Sequence, residues 1–132
     1  MTLSLIWQNA ENYYNKGISK FNINDYKGAI SEFNNTIILN PNYFDSYINR
    51  WIAKKKTLDY TGEIADYNKS IQLNHNNSDY FYNRGIAKYN LEDYNRSITD
   101  FNKAIELSPS NWIFALKSWD YYLLFWLVNN NW

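Results

Sequence analysis

The apolar positions of this chain fall into helical stripes, and the stripes themselves recur. Phe81, Gly85 and Tyr89 stand at i, i+4 and i+8, and Ile98, Phe101, Ile105 and Leu107 form a second stripe. Such spacing puts apolar side chains on one face of a helix. Between the stripes, Asn90-Leu91-Glu92-Asp93-Tyr94 reads as a short turn. Sliding the sequence by 34 residues lays this pattern over two earlier copies without a gap. Tyr13, Tyr47 and Phe81 share one column, and Phe33, Tyr67 and Phe101 another. Ile30, Ile64 and Ile98 make a third, and Leu39, Leu73 and Leu107 a fourth. The copies span 10–43, 44–77 and 78–111, and a partial fourth begins at Trp112. A helical hairpin of this size cannot bury its apolar face alone, so the copies must stack. The pattern predicts one all-α domain over 1–132: three helix-turn-helix repeats, then a C-terminal apolar helix over 112–128.

Pro41 after Asn40 and Pro109 after Ser108 stop the second helix of the first and third copies. The second copy fills that slot with Asn74-His75-Asn76-Asn77, residues suited to a turn. Two further columns are charged. Lys16, Arg50 and Arg84 form a basic one, and Glu32, Asp66 and Asp100 an acidic one. They predict ion pairs within or between repeats that set the stacking register, each worth roughly 0–1 kcal/mol if exposed.

The run Tyr82-Asn83-Arg84-Gly85-Ile86-Ala87-Lys88-Tyr89, then Asp93-Tyr94, then Asp100-Phe101-Asn102-Lys103-Ala104-Ile105-Glu106-Leu107-Ser108-Pro109, resembles a bacterial-type tetratricopeptide repeat (TPR). The resemblance covers residues 10–111. It implies a right-handed α-solenoid whose first helices line a concave groove, and a protein- or peptide-binding scaffold or adaptor. Asn15, Asn49 and Asn83 would stand in register on the groove wall, resembling the asparagine ladder of O-GlcNAc transferase. A side-chain amide carries both donor and acceptor, so a row of them can grip an extended backbone. Asn is abundant throughout this chain, so composition alone also accounts for the column. Tyr14, Ile18, Ile48, Ile52, Tyr82, Ile86, Lys55 and Lys56 would face the same groove, while Phe21 and Tyr89 would pack between helices. The resemblance also places Gly17 and Gly85 where paired helices press together. The middle copy has Trp51 there, Glu63 where the first has Ala29, and His75 in place of Pro. It is expected to be splayed or less stable, unless Trp51 simply fills open space. One TPR sub-family clamps the C-terminal carboxylate of heat-shock chaperones. Its clamp positions hold Tyr14, Ile18, Asn49, Asp79 and Asn83 here, of which only Asn49 fits, and Asp79 would repel a carboxylate.

Trp112 through Val128 is apolar almost throughout, broken by Lys117, Ser118 and Asp120. A solenoid normally ends on a polar outer face, and two charges in a short run argue against a membrane span. Four readings stand: a cap with one face left for a homodimer, the remnant of a longer array, a dock for a separate partner, or a helix lying on a membrane. The candidate assembly surface is Trp119, Tyr122, Leu123 and Trp126.

Composition narrows the function. Lys+Arg and Asp+Glu each number 13, without the basic surplus that nucleic acid requires. Cys is absent and His75 is the lone His, so neither a disulfide frame nor a protein-held metal is expected. The N-terminus lacks a basic stretch and a long apolar run, which predicts a cytoplasmic protein. No phosphate loop, nucleophile elbow or metal spacing is present. The expectation is a non-enzyme without cofactor that binds protein or peptide. The alternative is a self-assembly module, a homodimer or longer array, driven by the C-terminal helix.

Overall fold

A computed structural model describes the backbone of residues 1–130, and all their side chains except those of Trp112 and Val128. The described residues form seven α-helices and no strand. They are α1 (Leu3–Asn22), α2 (Tyr26–Leu39), α3 (Phe44–Lys56), α4 (Tyr60–Leu73), α5 (Ser78–Asn90), α6 (Tyr94–Leu107) and α7 (Trp112–Asn130). They belong to two compact units, Met1–Leu73 and Asn74–Trp132. In the first, α1 packs on α2, α2 on α3 and α3 on α4; in the second, α5 packs on α6 and α6 on α7. Each repeat is thus a helical hairpin, as the stripes predict. α1 is longer than the repeat pattern requires. It starts at Leu3 on a cap in which Thr2 Oγ1 accepts from the Leu5 N–H, and it carries the exposed Leu3, Leu5 and Trp7.

The turn inside each hairpin is the same device three times. Asn24, Leu58 and Glu92 have φ of 64°, 60° and 62°. At each site the next N–H reaches back to Lys20, Lys54 or Lys88, and the residue's own N–H to Phe21, Lys55 or Tyr89. This is a Schellman closure, which satisfies the last carbonyls of the first helix. The following Asp25, Asp59 and Asp93 then cap the second helix through Oδ1 to the N–H of Gly28, Gly62 and Arg96. Asn tolerates the left-handed region, whereas Leu58 and Glu92 are held in it at a cost.

The core runs along the predicted columns. Phe33, Tyr67 and Phe101 are each 0% exposed. A Cβ at Gly17 would meet the Phe33 ring at 2.5 Å, and one at Gly85 the Phe101 ring at 2.6 Å. These glycines therefore let the paired helices close on an aromatic ring. In the middle hairpin, Trp51 takes that position and lies over Tyr67 with ring centroids 4.6 Å apart.

The charged columns pair within repeats, and not in all three. Arg50 grips Asp66 with Nη2 and Nε at 2.5 and 3.0 Å, and Arg84 grips Asp100 at 2.6 and 2.8 Å. Both carboxylates are nearly sealed from water, so these are buried pairs rather than surface ones. Lys54 and Lys88 complete them at 3.0 and 2.7 Å. In the first repeat Lys16 does not pair with Glu32. Lys20 does, at 2.8 Å, while the Lys16 ammonium stands 5.3 Å from the Tyr13 ring centre. Arg50 and Arg84 likewise sit 5.4 Å from the rings of Tyr47 and Phe81, a favourable placement of cation over ring.

Candidate binding surface

In the first unit, α1 and α3 meet where Asn49 Nδ2 donates to the Tyr14 hydroxyl at 3.0 Å. The same Nδ2 donates to the Asp45 carbonyl one turn back at 2.9 Å. Both N–H groups of this amide are thus engaged within the protein. Tyr14 is half-buried against Phe33 and Tyr43, with ring centroids 5.9 and 5.0 Å away. Burial raises the pKa of its hydroxyl, the Asp45 charge raises it further, and the Asn49 bond opposes both. Burial also raises that of Tyr43, helped by Glu11, Tyr14 and Asp45. Ile18, Ile48 and Ile52 are half-buried, and Lys55 and Lys56 are exposed at the end of α3. Asn15 is exposed, in an open depression of about 470 Å³ that it shares with Asn12, Lys16, Ser19 and Lys20.

In the second unit, Asn83 repeats the local geometry of Asn49. Its Nδ2 donates to the Asp79 carbonyl at 2.8 Å. Ile86 is half-buried. Tyr82 does not stand open as expected. It is 8% exposed, stacked on Phe114 at 4.7 Å and set 5.6 Å from Phe101. The aromatic face that would have met a guest is covered by α7. Tyr89 packs between Tyr94 and Tyr121, and in the first unit Phe21 packs against Tyr26.

Two columns escaped the sequence reading, although the same period displays them. Lys20, Lys54 and Lys88 hold the acids of the second helices. Glu11, Asp45 and Asp79 put one exposed carboxylate in each copy, four residues before its Asn. Residues so spaced share a helix face.

α7 turns Phe114 and Ser118 inward, and Tyr121 and Phe125 are half-buried. Trp119, Leu123 and Trp126 are 70%, 55% and 59% exposed. Tyr122 departs from that set. It is half-buried, and its hydroxyl donates to Asn102 Oδ1 on α6 at 2.7 Å. These residues, with Ile98 and Phe125, line an apolar depression of about 420 Å³.

Among the described residues no cluster of His, Asp or Glu could hold a metal ion, and no helix is long and apolar enough to cross a membrane.

The family model for the tetratricopeptide repeat matches residues 78–111, the span of the third copy. No curated protein sequence matches the chain. Among solved structures, the first TPR of Spaghetti (RPAP3), bound to the HSP90 peptide SRMEEVD, superimposes with a TM-score of 0.77 at 21% identity, covering 90% of this chain and 94% of that one. The Arabidopsis OM64 TPR domain gives 0.74 at 22% identity, covering 88% and 96%. The TPR2B domain of yeast Sti1, in a complex with pHsp70, gives 0.70 at 22%, covering 88% and 94%. At these identities the likeness is one of fold.

Proposed function

We propose that this chain, which carries a tetratricopeptide repeat at 78–111 and has the fold of TPR domains, is a scaffold that binds an extended protein segment and performs no catalysis of its own. The observation that carries this reading is the shared geometry of Asn49 and Asn83. Each amide is fixed by its Nδ2 to the carbonyl one turn back, leaving Oδ1 as the acceptor for a peptide N–H. Asn15 holds the same position in the first repeat, flanked by Tyr14 and Ile18; Ile48 and Ile52 flank Asn49, and Ile86 flanks Asn83. Structural neighbours that carry HSP90 or HSP70 peptides support the general mode. The charges here favour a different guest. Glu11, Asp45 and Asp79 repel an acidic tail, so the partner is a neutral or basic segment read along its backbone, with Lys55 and Lys56 at the far end of α3.

Capture of partners from the native cell tests this, with identification by mass spectrometry. The double variant Asn49→Ala, Asn83→Ala should lose the captured partner while keeping its helicity, and SRMEEVD should not compete. Capture unchanged in the double variant rejects the amide row.

A second reading, assembly of copies through α7, is favoured by one observation. Trp119 and Trp126, the two largest side chains of that surface, are 70% and 59% exposed.

A further inference from the structure

The exposed side of α7 has a regular design. Leu116, Trp119, Leu123 and Trp126 are spaced three, four and three residues apart, and are 60%, 70%, 55% and 59% exposed. That spacing is the a/d seam of a two-helix coiled coil, with Leu at both a positions and Trp at both d positions. Leu124 and Leu127, 46% and 37% exposed, widen the stripe. Phe114, Ser118, Tyr121 and Phe125 lie on the opposite side of the helix, where the rings pack against Tyr82 and Tyr89 of α5 and Tyr94 and Phe101 of α6. At about 200 Å² for a large apolar side chain, the six stripe residues expose on the order of 650 Å². This exceeds the few hundred Å² usual for a free surface and approaches the roughly 800 Å² that each partner contributes to a standard interface.

We infer that α7 of one copy pairs with α7 of a second copy as an antiparallel two-helix seam. The inference rests on the assembly reading and specifies its geometry. In a parallel pair, each layer sets a residue against itself, so Trp119 and Trp126 would each face their own copy across the axis. Two indoles in one layer overfill the usual 8–10 Å between axes, and the Leu layers beside them underfill it. Running the second helix the other way sets Leu116 against Trp126 and Trp119 against Leu123. Every layer then holds one large and one medium side chain. The four seam residues carry no charge, and Asp120, one turn from both Leu116 and Leu124, holds the e position beside the seam. A second copy therefore fits this surface better than a charged partner or an anionic membrane does.

Sedimentation equilibrium of the full chain across a dilution series tests the pairing. The expected result is a monomer–dimer equilibrium weakened at least 100-fold by Leu116→Asp, Leu123→Asp, with unchanged helicity by circular dichroism. The chain has no cysteine of its own, so cross-linking reads the direction. Trp119→Cys and Leu123→Cys chains, mixed and mildly oxidised, should form disulfide dimers several-fold faster than either variant alone. A chain that stays monomeric up to millimolar concentration overturns both the seam and the assembly reading. A dimer indifferent to the two Asp substitutions overturns the seam but leaves assembly standing. Faster cross-linking by either variant alone overturns the antiparallel direction only.

Discussion

The α1/α2 and α3/α4 hairpins share a turn, a capping scheme and a compact unit, yet they are held by different chemistry. In α1/α2 the crossing is close and apolar, with Gly17 against the Phe33 ring, Ala29 fully buried, and one partly exposed ion pair, Lys20–Glu32. In α3/α4 the same column positions carry Trp51 and Glu63, and Glu63 is 1% exposed. Burial pushes its carboxyl pKa up to about 7, against the pull of Lys55 and the Tyr67 hydrogen bond and with a further push from Asp59. Ser46 Oγ, Ser70 Oγ and the Trp51 indole N–H are buried with no hydrogen-bond partner. The Arg50–Asp66–Lys54 cluster spans this polar seam. One backbone plan thus accepts a glycine–aromatic crossing, a charge clamp in place of that glycine, or, in α5/α6, both together, and the buried acids of α3/α4 expose that hairpin to pH and to loss of a single carboxylate.

Asp66→Ala should separate the two hairpins most sharply. It removes the carboxylate that balances the largely buried Arg50 and Lys54, at a cost of about 3–5 kcal/mol in urea unfolding. Glu32→Ala, at the equivalent position of the first hairpin, should cost under about 1 kcal/mol because its Lys20 partner stays hydrated. Equal losses would erase the contrast.

The pH dependence of stability is the next largest effect. Glu63 is protonated in the native state across a range in which the unfolded chain has already ionised. Stability should fall as pH rises from about 4.5 to about 7 and level off above, a total on the order of 2–3 kcal/mol. Glu63→Gln should flatten that slope in thermal melts at pH 5 and pH 8. A slope that survives Glu63→Gln places the titration elsewhere.

Gly17→Ala tests the apolar hairpin from its own side. Its Cβ would strike the Phe33 ring, so a loss of about 1–3 kcal/mol is expected, with α1/α2 amides exchanging faster. The smallest effect should come from Leu58→Asn. Leu58 is 67% exposed at φ 60°, and Asn, the residue at this turn in the first repeat, should gain about 0.5–1 kcal/mol in melting experiments. No gain would mean that the leucine sits in this turn without strain.

The helices, their turns and the glycine–aromatic crossings were legible because each rests on a column that recurs at constant spacing. Pairing of the charged columns was legible only in part. The acid of every copy meets the lysine one turn along, Lys20, Lys54 or Lys88, and what differs is the expected basic partner: the Arg50 and Arg84 guanidinium groups fork onto the carboxylate, while Lys16 stands near the Tyr13 ring. Tyr82 was misplaced because its cover comes from Phe114 on α7, a residue outside the three repeats whose column holds Asn12, Ser46 and Tyr80. The asparagine column was visible from the start. Its internal bonding was not, because the bond from Asn49 to Tyr14 depends on how α1 and α3 face each other.

The side-chain amide signals of Asn15, Asn49 and Asn83, followed by nuclear magnetic resonance during titration with the captured partner segment, test the proposed binding face most directly. Shifts centred on these three amides and on the Tyr14 ring are the predicted result. Unmoved amides alongside shifted α7 or second-helix signals would contradict it.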